Sequence, residues 1–213
     1  MIAVIGIPRL QGAGADVDVA GLAASVATAA AAGDSRVELV GKIGDDDAGD
    51  AVLLALSRRG VGHVATLRDP AHPTPITAAN DDADPDGSDE GARATRPGAE
   101  NHDSPVLEAA DVGLALRYLP ELGVIVTVHV APEVVAEAAA AAGWARTGLI
   151  VVVDPASEIP DGLPDDALAL AAEDVDDLGG IGAAIGRYAA SLDQGRPADA
   201  AYAELIAAGK TSA

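Results

Sequence analysis

The sequence predicts a single α/β domain built on a mainly parallel sheet with helices on both faces. Three observations predict it. Short runs rich in Val and Ile, at 2–7, 123–130 and 149–153, lack polar alternation and read as strands covered on both sides. Ala-rich stretches with helix-end signals separate them, and strand–helix alternation is the pattern of parallel sheets. The 49% apolar content is almost all Ala, Val, Leu and Ile, with no Phe, one Trp and three Tyr, which favours closely packed layers. The length of 213 residues fits one domain, 1–213.

The elements follow in order. Strand 2–7 precedes a helix expected over 18–32 and ended by Gly33. Strand 36–40 leads through Gly41-Lys42-Ile43-Gly44 to Asp45, expected to cap a helix to about Arg59. Gly60-Val61-Gly62 ends that helix before a strand at 63–67. Residues 69–103 contain a long acidic stretch of low hydropathy and read as a mobile loop. Ser104-Pro105 is the expected start of a helix stopping at Pro120. Strand 123–130, a helix from Pro132 to Trp144 and strand 149–153 complete the central alternation. Residues 157–177 are weakly patterned, and helices are expected at 181–193 and 197–208.

Charge and composition exclude several function classes. The net charge is −21, from 34 acids against 13 Lys plus Arg, and only Lys42 and Lys210 are lysines. Such a surface repels nucleic acid and anionic membranes. Without cysteine there is no disulfide, thiolate metal site or thiol nucleophile. No signal-peptide pattern or membrane-length apolar run is present, so a cytoplasmic location is expected.

Candidate site residues lie toward the C-terminal half. Gly179, Gly180 and Gly182 precede a helix, where free N–H groups and the dipole can hold an anion. A plain helix entry accounts for the same glycines, and Asp174, Asp176 and Asp177 nearby oppose an anion. Asp154 ends a central strand where α/β proteins place ligands, or caps the turn at Pro155. His129 ends the neighbouring strand and faces the same crevice or bonds within the fold. Lys42 lies near that crevice or offsets Asp45, Asp46, Asp47 and Asp50, whose spacing is not that of an EF-hand; no metal site is expected.

Several segments together resemble the ribokinase (phosphofructokinase-B) family of carbohydrate kinases. Val40-Gly41-Lys42-Ile43-Gly44-Asp45-Asp46-Asp47-Ala48-Gly49-Asp50 is similar to its V-G-x-[VI]-G-D-D-x-x-G segment. Leu56-Ser57-Arg58-Arg59-Gly60-Val61, Ala109-Ala110-Asp111-Val112 and Val151-Val152-Val153-Asp154-Pro155-Ala156 resemble later landmarks. Val175 to Gly182, then a helix and Gly195-Arg196-Pro197, resemble the D-T-x-G-A-G-D signature, whose last Asp is the family's catalytic base; Gly182 stands there. The family's Asn-x-Asp falls at Pro8–Gly12 and its Gly-Gly-x-x-x-Asn at 19–24, with Ala24 in place of Asn. The nearest counterpart of its Asn-x-x-Glu is Ala172-Glu173-Asp174-Val175.

The resemblance implies a three-layer ribokinase-like core with the first lid insertion missing and the adenine-binding segment shortened. It implies three alternatives. The chain is a non-catalytic relative binding a small-molecule ligand or a protein partner. It is a divergent sugar or nucleoside kinase using ATP and magnesium, with Asp154, Asp176 or Asp177 as base. Or it is an assembly protein, for instance a homodimer. Cofactors are expected only in the second case.

Overall fold

The computed structural model describes residues 1–12, 17–77, 104–174 and 180–209. Among them, seven parallel strands form the central sheet. β1 (Ile2–Ile5) is central, where a run of purely apolar residues can be buried on both faces. On one side lie β8 (Val124–Val128), β9 (Gly148–Val153) and β10 (Leu168–Ala171). On the other lies β4 (Val37–Gly44), which pairs with both β5 (Val61–Gly62) and β6 (Thr66–Asp69). Ile2 sets the register, opposite Val37 on one side and Val124 on the other.

Strand side chains alternate between two cores. Ile2, Val4, Leu39, Val126 and Ile150 face α1 (Leu22–Ala31), α2 (Asp47–Arg58), α5 (Ile181–Asp193) and α6 (Ala198–Gly209). Ala3, Ile5, Val40, Ile125 and Val151 face α3 (Ala109–Tyr118) and α4 (Pro132–Ala145). This is the expected three-layer α/β architecture. Each fully buried Val, Leu or Ile contributes about 1.5–3 kcal/mol of burial free energy. Helix starts are locally encoded: Asp46 accepts from Gly49 N–H at 2.8 Å, Glu108 and Asp111 form a capping box, and Pro132 opens α4.

Several boundaries differ from expectation. The cap of α2 is Asp46 rather than Asp45, whose side chain pairs with Arg68. The expected strand at 63–67 is two short ones, β5 and β6, split by a turn in which Thr66 N–H reaches the His63 carbonyl at 3.0 Å. Helix α3 begins at Ala109, four residues beyond Pro105. The weakly patterned 157–177 stretch contains β10.

The largest correction concerns the N-terminal region. Residues 18–20 are not helix but β3 (Asp18–Ala20), antiparallel to β2 (Arg9–Gln11); β7 (Ile76–Thr77) joins β2 in parallel. The segment expected to lack a lid thus forms part of a small three-stranded sheet, drawn from both sides of the chain. Pairing with β2 outweighs helix propensity at 18–20, and Gly21 at φ 89° turns the chain into α1. Part of the expected mobile loop, 69–77, is ordered by this sheet and by Thr74. The remaining 78–103 lie outside the described residues.

Thr74 is a buried anchor. Its N–H donates to Asp46 Oδ2 at 2.9 Å, its hydroxyl donates to Asp46 Oδ1 at 2.6 Å, and it accepts from Gly44 N–H at 2.9 Å. Burial raises the Asp46 pKa, but these bonds, Gly49 N–H and the Arg68 charge together hold it below the ordinary carboxylate value. Asp18 pairs with Arg59 and ties β3 to the end of α2.

Candidate functional site

The C-terminal edge of the sheet is where parallel α/β folds place ligands. Here the ends of β1, β8 and β10 meet the first turns of α1 and α5. Gly6 follows β1, and a Cβ there would stand 2.8 Å from Ala23 Cβ and 3.0 Å from the Val128 carbonyl oxygen. The ends of β1 and β8 therefore approach closely here, with the Ala23 methyl of α1 against the same point.

Gly182 lies in the first turn of α5 and is buried against α1. A Cβ at this position would stand 2.6 Å from Ser25 Oγ, 2.8 Å from Ser25 Cβ and 3.0 Å from Leu22 Cδ1. One turn on, a Cβ at Gly186 would collide with the Val26 carbonyl oxygen and stand 2.7 Å from Ala29 Cβ. The two helices are in close contact along a face of small residues, and any side chain at 182 would meet α1 at its first carbon. Gly180 is the cap residue of α5; Gly179, Asp176 and Asp177 lie outside the described residues.

The mouth of α1 is also filled. Gly21 brings no capping side chain and the first turn carries no acid. The cap comes from 152 residues away: Leu22 N–H donates to Asp174 Oδ1 at 2.8 Å, and Arg9 of β2 pairs with Asp174 Oδ2. His129 stands beside this mouth with its backbone at φ 48°, its N–H bonded to the Val152 carbonyl at 3.0 Å and its Nε2 2.7 Å from the Ala172 carbonyl oxygen. Its ring thus donates Nε2–H to the strand end, the internal role, and fixes Ala172 two residues before Asp174.

The other candidates also have partners within the fold. Asp154 Oδ1 accepts from Ala156 N–H at 2.8 Å, and its carbonyl accepts from Ser157 N–H at 2.8 Å, which is the turn-capping role. Lys42 Nζ lies 2.6 Å from Asp111 Oδ2 of α3. That pair sits on the α3–α4 side of the sheet, so Lys42 does not join the α1–α5 mouth. Among the described residues no group of three His, Cys, Asp or Glu side chains is placed to hold a metal ion. No described helix is long and apolar enough to cross a membrane.

The structure brings together Arg9, Gly21, Leu22, Ser25, His129, Asp174 and Gly182. Sequence reasoning missed the Arg9–Asp174 pair. An isolated Arg after the first strand and one acid among several carry no signal that they meet across 165 residues.

No family model matches the chain, and no curated protein matches it by sequence. Solved structures match it by fold. Arabidopsis thaliana ribokinase, complexed with ribose and ATP, aligns with a TM-score of 0.62 at 12% identity, over 98% of this chain and 91% of that one. Fructokinase from Xylella fastidiosa aligns with a TM-score of 0.51 at 14% identity, over 98% of this chain and 67% of that one. Aminoimidazole riboside kinase from Salmonella enterica aligns with a TM-score of 0.50 at 18% identity, over 76% of this chain and 52% of that one. The fold is ribokinase-like.

Proposed function

We propose that this chain uses the ribokinase-like fold to hold a small hydroxylated ligand and does not itself transfer phosphate. The observation that carries the reading is the packing at Gly182. Sugar phosphorylation needs a base within reach of the attacking hydroxyl, a contribution of about 10²–10⁴-fold. A carboxylate at 182 would have to occupy space held by Ser25 and Leu22. The nearby acids are committed as well, Asp174 to Arg9 and α1, Asp154 to its own turn.

What remains for a ligand is the spare hydrogen-bonding capacity at this edge of the sheet: strand-end backbone, the Nδ1 side of the His129 ring and the outward face of the Arg9–Asp174 pair. These groups fit hydroxyls better than a triphosphate, because phosphoryl transfer relies on an array of cations and metal.

A second reading, a divergent sugar or nucleoside kinase, is favoured by the fold match to a ribokinase complexed with ribose and ATP. ATP and magnesium would then be required, and the base would come from a residue other than 182. Thermal unfolding with a panel of sugars and nucleosides, with and without magnesium-ATP, separates the two. The expected outcome is stabilisation by a polyol, none by magnesium-ATP, and no phosphorylated product. Multiple-turnover formation of a sugar phosphate would overturn the reading.

A further inference from the structure

We propose that the outward face of α4 is an interface between two copies of this chain, with Trp144 of each copy seated against the groove of the other. The inference goes beyond the small-ligand reading and does not rest on it. Trp144 is the only Trp of a chain without Phe, and it is 90% exposed in the last turn of α4. Such a side chain removes about 150–250 Å² from water when buried, and Trp, Tyr and Arg are the usual anchors of protein interfaces. Tyr118, at the end of the neighbouring α3, is 78% exposed. The same helix carries a hollow: Val135, Ala136 and Ala139 form one side and Pro160, Leu163 and Pro164 the other, bounding a groove of about 570 Å³. Pro132, Ala136, Ala140 and Trp144 recur at every fourth position and are all exposed, so groove and indole share one outward face, with Trp144 about 12 Å along the axis from Ala136.

Charge fixes the occupant and the sense of the pairing. Arg117 and Arg146 flank Trp144 at the C-terminal end of this face, where a 3.1 Å bond from Gly148 N–H to the Gly123 carbonyl draws the exits of α3 and α4 together. Glu133 and Asp161 stand at the opposite end. All four side chains are exposed, and none has a hydrogen-bond or ion-pair partner among the described residues. Glu121, exposed at the arginine end, leaves the two guanidinium groups in excess there. A two-fold axis that runs one α4 against the other in opposite senses lays each arginine end on an acidic end and carries each Trp144 toward the groove of its partner. Ala136 and Ala140 in the middle let the two helices approach closely. A parallel pairing would set like charges together. The net charge of −21 repels a second copy over most of the surface, and this face is where opposite charges offset that repulsion.

Sedimentation velocity of the full chain tests this at about 0.15 M salt, where the screening length is about 8 Å. The expected result is a monomer–dimer equilibrium between about 1 and 200 µM, since one helix and one loop make an interface at the small end of the usual sizes. Over the same range the emission of Trp144, the sole indole, should move to shorter wavelength as the ring leaves water. Trp144→Ala should weaken the dimer about tenfold or more and, because the side chain is exposed, leave the unfolding temperature of the monomer unchanged. Arg146→Glu and Glu133→Arg should each weaken the dimer, and the two combined in one chain should restore it, because each new charge then meets its opposite across the axis. A wild-type chain that stays monomeric at about 200 µM overturns the proposal and leaves the groove to a different partner. A dimer that Trp144→Ala leaves intact, or one that forms without a shift in Trp144 emission, places the contact on another surface and equally overturns it. Failure here leaves the small-ligand reading intact, because that reading is tested by sugars and nucleotides rather than by association.

Discussion

The same substitution in two helices should have opposite effects. Replacing Gly by Ala in a helix interior favours the folded state by about 0.8–1 kcal/mol through reduced backbone entropy. Gly143, in the last turn of α4, has nothing within 4 Å of an added Cβ, so Gly143→Ala should stabilise by up to about 1 kcal/mol. At Gly186 the added methyl meets α1: the Val26 carbonyl in collision, Ala29 Cβ at 2.7 Å and Ala30 N at 2.9 Å. Two of these are backbone atoms of a buried helix and cannot rotate aside. Overpacking costs about 1–3 kcal/mol and the rigid neighbours favour the upper part of that range. After subtracting the propensity gain, Gly186→Ala should lose about 1–2 kcal/mol. For a chain of this length about 2–4 °C follows per kcal/mol, so the two variants should differ by about 4–12 °C in unfolding temperature. Thermal and urea unfolding followed by circular dichroism measure this. A Gly186→Ala variant as stable as the parent would refute the close α1–α5 approach, and with it the argument about Gly182.

Other outcomes follow from the same geometry. Gly182→Asp should destabilise and leave phosphotransfer absent in a coupled ATPase assay with sugars; combining it with Ser25→Gly should recover part of the stability. Asp46→Ala removes the α2 cap and both Thr74 bonds and should cost about 1–3 kcal/mol in urea unfolding. Asp46 is held below its unfolded value, and so is Asp69, chiefly by the Ala71 N–H and then by His72. Their stabilisation is therefore complete above the unfolded carboxylate range near pH 4 and lost as pH falls through the lower folded values. Asp46→Ala should accordingly flatten the acid limb of a stability–pH profile. Thr127, fully buried in β8, has no partner for its hydroxyl among the described residues, so Thr127→Val should stabilise by up to about 1 kcal/mol by the same unfolding assay. Lys42→Met should cost about 1 kcal/mol by loss of the Asp111 pair and leave polyol binding unchanged.

The central strands were legible because burial on both faces forces continuous apolar runs, as at 124–128 and 149–153. The α2 cap was legible to within a residue: the sequence pointed to Asp45, and the cap is Asp46, whose carboxylate also binds Thr74, 28 residues later. The three residues of β3 were misread as helix because their local pattern suits either state, and only pairing with β2 decides. His129 and Asp154 each carried two readings in the sequence, and the structure gives each a backbone partner: Ala172 for the histidine, the 154–157 turn for the aspartate.

By itself the sequence determined the fold class, the alternation of the long central strands with helices, and the absence of a carboxylate at position 182, since periodicity, caps and residue identity are local properties. Tertiary structure alone decided that Gly182 is closed by Ser25, that Lys42 faces α3, and that Arg9 and Asp174 share the mouth of α1. Those facts depend on which distant groups meet, and a helix end or a lone charge carries no record in the sequence of the partner that will satisfy it.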